Sequence, residues 1–132
     1  MKDKKYTYQE LLEIIAKLRS EEGCAWDREQ THESLKESLL EESYELIDAI
    51  NNKDMVNMKE ELGDVLLQVL MHAQIASEQG TFTMEDVVDG IASKLIYRHP
   101  HVFGNEEKTS DTSKILQTWE ILKKKEKNEQ SR

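Results

Sequence analysis

The sequence predicts an all-α protein, an antiparallel four-helix bundle with a further helix at its C-terminus. Three observations carry that expectation. Apolar residues recur at three- and four-residue spacing through most of the chain. Residues that start and stop helices fall at the ends of those stretches. With 5 glycines and 1 proline in 132 residues, the chain has few turn formers for the many strands of a sandwich or barrel.

The first helix is expected over about residues 8–22. Thr7 and Glu10 have capping-box spacing, Leu11, Ile14, Ile15 and Leu18 share one face, and Gly23 stops the run. Residues 23–32 lack periodicity and read as a loop, yet they carry Trp26, which calls for something to pack on it. Leu35, Leu39, Leu46, Ile47 and Ile50 mark a second helix from about Ser34 to Ile50, ending in the turn Asn51-Asn52-Lys53. Asp54 caps a third, which runs to about Gln79 with Gly80 as terminator. Its centre, Val65-Leu66-Leu67-Gln68-Val69-Leu70-Met71, is apolar on nearly every side. Burying so much circumference asks for more than the chain's own short helices, so an oligomer is expected, most simply a two-fold dimer. Thr83 and Asp86 open a fourth helix carrying Val87, Val88, Ile91, Leu95 and Ile96, closed by Pro100. A last helix over about 112–127 holds Ile115, Leu116, Trp119 and Leu122 and trails into a solvated lysine-rich tail.

The length fits one domain over 1–132, with a core at about 8–104. No run of roughly 20 apolar residues exists for a membrane span, and no apolar signal core follows the basic start, so a cytoplasmic location without a membrane partner is expected. Cys24 is alone and reads as a small packing residue. A net charge of −9 opposes binding to nucleic acid but leaves room for phosphorylated ligands held through a metal.

Chemistry concentrates on the two central helices. Glu41, Glu42 and Glu45 lie on one, Glu60, Glu61 and Asp64 on the next, and the short turn makes the helices antiparallel. Counting from Asn52, Glu45 lies seven residues back and Glu61 nine forward, Glu42 ten back and Asp64 twelve forward. Spacing of three stacks each pair on its own helix, so four carboxylates can converge on one volume. Such a group suits Mg²⁺, which takes hard oxygen ligands and leaves positions for water and phosphate oxygens. The same spacing also describes two solvated acidic faces. A di-iron bundle needs Glu-x-x-His on two helices, and the single match, Glu29 to His32, falls in a loop.

Glu41-Glu42-Ser43-Tyr44-Glu45 followed by Glu61-Leu62-Gly63-Asp64 resembles the signature of the all-α nucleoside triphosphate pyrophosphohydrolases, and more specifically of the MazG family. The likeness extends to Gly23-Cys24-Ala25-Trp26-Asp27 with Gln30-Thr31, and to Lys94 through Gly104 with its Arg98-His99-Pro100-His101 centre. Three motifs in order are far more specific than one. The resemblance implies a MazG fold and hydrolysis of an NTP or dNTP to the monophosphate and pyrophosphate, as nucleotide-pool housekeeping. It implies Mg²⁺, with Mn²⁺ as a substitute, on Glu42, Glu45, Glu61 and Asp64, and makes Glu41 a candidate second-metal ligand or water-orienting base. Lys94 and Arg98, one turn apart, then become candidates for the β- and γ-phosphates, against a surface ion pair as the plainer role. Trp26 becomes a candidate to stack on the base, against a role as a core plug. His99 and His101 read as structural. Ala25 stands where the family usually has proline, and many members carry two such domains, so this chain is expected to act alone or by self-association as a homodimer or homotetramer. The competing readings are a pyrimidine-specific dUTP or dCTP pyrophosphatase and a non-catalytic helical module that binds nucleotide or a partner.

Overall fold

A computed structural model describes residues 3–130. Those residues form seven helices and no strand: α1 Tyr8–Leu18, α2 Ala25–Glu29, α3 Lys36–Asn51, α4 Met55–Glu78, α5 Met84–Arg98, α6 Pro100–Phe103 and α7 Thr112–Gln130. The chain divides into two compact units, one through Met84 and one from Glu85. No helix among the described residues is long and apolar enough to cross a membrane.

In the first unit α3 packs along α4, and α1 packs on α4. The Thr7 hydroxyl accepts from the Glu10 amide and the Glu10 carboxylate from the Thr7 amide, each at 3.1 Å, so the expected capping box is formed. Helix α1 stops four residues short of expectation. The Cys24 amide donates to the Leu18 carbonyl at 2.8 Å, folding the chain back over the helix end. A Cβ at Gly23 would meet the Lys17 and Leu18 carbonyl oxygens at 2.1 and 2.3 Å, so only glycine allows that return. The segment expected as loop includes α2, whose five residues are too few to show a period.

Asn51 joins α3, leaving Asn52, Lys53 and Asp54 as the connection to α4; Lys53 adopts φ 55° and Asp54 accepts from the Asn57 amide. At the other end of α4, Gly80 at φ 73° donates to the Ser77 carbonyl and the Thr81 amide donates to that of Ala76, a Schellman closure. The core is Ile15, Leu35, Leu70, Met71 and Ile75, with Leu11, Leu12 and Met84 against it. It covers only part of α4: Leu62, Leu66, Leu67 and Val69 stay exposed, as do Leu40, Tyr44, Ile47 and Ile50 on α3.

In the second unit Pro100 both ends α5 and opens α6 from its first position, where its missing N–H costs nothing. Asp111 caps α7 by accepting from the Ser113 amide. This helix runs to Gln130 rather than fading near 127, and its Glu126 pairs with the buried Arg98, so the tail is not simply solvated.

Candidate metal centre

Two helices joined by a three-residue connection must run side by side, and the spacing of three along each stacks their carboxylates toward the shared seam. The structure brings Glu42 and Glu45 of α3 together with Glu61 of α4, each offering an oxygen within 4.8 Å of the others. Glu61 is 8% exposed, unusual for a carboxylate, and Glu42 is half-buried. Among the described residues Glu42 Oε2 and Glu61 Oε2 are buried without a hydrogen-bond partner.

Electrostatics follow from that crowding. Burial, then a hydrogen bond with Glu45 and the charges of Glu45, Asp64 and Glu42, push the Glu61 carboxyl up to about 7. Burial and the charges of Glu45 and Asp64 raise Glu42 as well. Buried acceptors without donors, packed among like charges, are costly alone and fit a hard divalent cation well. The donor set is therefore compatible with such an ion.

Asp64, half-buried and one turn beyond Glu61, is felt as charge by both Glu42 and Glu61 but stands outside the tight set of three. Glu41 is exposed on α3, also outside it. Trp26 on α2 is 61% exposed, so it is not a core plug of this chain. Its segment is nevertheless held firmly. Arg19 Nη1 donates to the Asp27 and Gln30 carbonyls at 2.5 and 3.0 Å, while Arg19 Nε and Nη2 grip Glu78 at 2.9 Å. Arg28 donates to the Ser20 and Glu21 carbonyls, and Gln30 Nε2 to that of Trp26. In the second unit Lys94 is exposed, and Arg98 is buried against Glu126. His99 Nδ1 lies 2.6 Å from the Leu95 carbonyl, a bond in which the ring donates, in keeping with its structural reading.

Three features escaped the sequence reading. Gln68 on α4 buries an unpartnered Oε1 one turn past Asp64. His32 and His72 place their Nδ1 atoms 2.8 Å apart with rings within 4° of parallel, and burial followed by the His32 charge lowers His72. Glu126 meets Arg98 across 28 residues. The first two carry no sequence pattern, but Glu126 lies two helical turns after Trp119, a shared face that was legible.

The sequence description of the MazG nucleotide pyrophosphohydrolase domain matches residues 30–103. The chain is 57% identical over 127 residues, 96% of its length, to the "Nucleoside triphosphate pyrophosphohydrolase/pyrophosphatase MazG" of Thermotoga maritima, and covers 48% of that protein. It is 43% identical over 118 residues, 89% of its length, to the nucleoside triphosphate pyrophosphohydrolase of Escherichia coli K12, covering 44% of it. The chain thus spans less than half the length of these relatives. A crystal structure of a mazG-related protein from Thermotoga maritima superposes with a TM-score of 0.71 at 30% identity, over 88% of this chain and 98% of that one.

Proposed function

This chain belongs to the MazG nucleotide pyrophosphohydrolase family, and we propose that it hydrolyses nucleoside triphosphates to the monophosphate and pyrophosphate in a Mg²⁺-dependent reaction. The observation that carries the reading is the pair of buried, donor-less carboxylate oxygens of Glu42 and Glu61 in one cluster with Glu45. Glu42, Glu45, Glu61 and Asp64 would hold the ion. Bound there, it neutralises phosphate charge and makes water a usable nucleophile near neutral pH.

The chain's own residues do the rest. Glu41, exposed and next to Glu42 in the sequence of α3, would orient a water or accept its proton. In the second unit Lys94 and Arg98 would offer donors for the β- and γ-phosphates, and in the first Trp26, exposed on a segment held by Arg19, would offer a face for the base. The balance is one water consumed, the α–β anhydride bond broken, and pyrophosphate released. The apolar residues left open on α3 and α4 support self-association as a homodimer or homotetramer, and the activity suits a cytoplasmic housekeeping enzyme.

The test is incubation with each common NTP and dNTP, with and without Mg²⁺, assayed for pyrophosphate against free phosphate. Pyrophosphate appearing only with Mg²⁺ is expected. Release of free phosphate instead, or metal-independent turnover, would overturn the reading.

A further inference from the structure

We propose that Glu126 is a positioning residue which, together with Trp119, holds the Arg98 guanidinium as a phosphate receptor. The inference rests on the reading of Arg98 as a phosphate contact. Arg98 closes α5 with only 8% of its surface exposed, and an arginine so buried requires a partner. Glu126 provides it side-on: Arg98 Nε lies 3.3 Å from Oε1 and Nη2 3.2 Å from Oε2. Trp119, on the same face of α7, sits against the guanidinium with Cζ 5.8 Å from its ring centroid. The Trp119 ring is itself steadied by His99, edge-on at 5.5 Å.

A guanidinium carries five N–H donors in one plane. The side-on pairing uses Nε–H and one N–H of Nη2. Three donors are left, two on Nη1 and one on Nη2; one N–H of each forms the end-on edge, which matches two oxygens of one phosphate. Gripped along one edge by a carboxylate and on one face by an indole, the group has already lost the rotamer freedom that a long side chain otherwise gives up on binding. Glu126 thus acts on the ligand through Arg98 and need not touch it.

The experiment titrates inorganic tripolyphosphate into the full chain with Mg²⁺ present, comparing wild type, R98A, E126Q, E126D and R98A/E126Q, with a thermal melt of each. Arg98→Ala and Glu126→Gln should each weaken binding about tenfold, the effect of a charge-assisted hydrogen bond. Glu126→Asp should recover part of the loss, and Glu126→Gln should add nothing in the R98A background. If E126Q does not fold, Trp119→Phe replaces it, with a smaller loss expected that again vanishes without Arg98. Binding unchanged or tightened by E126Q, while R98A weakens it, overturns the positioning role alone, tightening being the mark of a carboxylate that competes with phosphate. No effect of R98A, or no binding by wild type, overturns the phosphate reading of Arg98 and this inference with it.

Discussion

Glu42 on α3 and Glu61 on α4 each bury a carboxylate oxygen that no donor among the described residues reaches, and both belong to a group whose ligand atoms lie within 4.8 Å of one another. Their helices are joined by three residues, so α3–α4 packing cannot easily relax to separate the charges. The seam is destabilising as it stands and suited to a cation.

Glu61 titrates at about 7 against an ordinary 4.5, chiefly through burial, so folding favours its protonated form. Its contribution to stability is fully present below pH 4.5 and is lost as the pH rises through 7. Saturating Mg²⁺ should raise the melting temperature by roughly 5–10 °C at pH 8 and by much less at pH 5. Equal shifts at both pH values would contradict the assignment.

Glu42→Gln and Asp64→Asn should fold and, without metal, melt no lower than wild type, because each removes a repelling charge. Turnover of both should fall roughly 100-fold or more, since each loses a ligand charge. A variant retaining full turnover would remove its residue from the site.

Gly23→Ala should be severe. The added Cβ would sit 2.1 Å from the Lys17 carbonyl oxygen, which the backbone must move to accommodate. A loss of about 2 kcal/mol or more is expected in denaturant unfolding. A loss below half that value would show that the turn relaxes easily.

Arg19→Met should cost about 2–3 kcal/mol near neutral pH, because the Asp27 and Gln30 carbonyls and Glu78 all lose their donor. Arg19 holds the Glu78 carboxyl below its usual range, so the Glu78 share is present above pH 4.5 and is lost as the pH falls through the lowered value. Melting curves of wild type and variant should therefore draw closer between pH 7 and pH 3, leaving the backbone share.

What was legible in the sequence was local. The Thr7–Glu10 box, the Asp54 cap and the Gly80 terminus each depend on residues within a few positions, and each formed. The meeting of Glu42, Glu45 and Glu61 was legible for the same reason, from i,i+3 spacing across a short turn, whereas Asp64, expected with them, stands outside the tight set. The end of α1 was not, because it is set by the chain folding back at Gly23 rather than by a break in periodicity. Neither was the clasp from Arg19 to Glu78, 59 residues away, nor the grip of Glu126 on Arg98. Long side chains choose such partners in three dimensions: spacing puts Glu126 on the face of Trp119 but does not name Arg98 as its partner. Burial of α4 was expected on more faces than this chain supplies.

The brief α3–α4 connection also bears on how the chain folds. Residues 42 to 64 close through a short loop, and contacts so near in sequence form early because little chain entropy is lost in making them. If α3 and α4 pair first, the repelling carboxylates meet at the barrier, ahead of the more distant docking of α1. A divalent cation present during refolding should accordingly speed the folding limb of a chevron rather than only slow the unfolding limb. The seam would then act as a nucleus whose rate follows the ion concentration around the emerging chain.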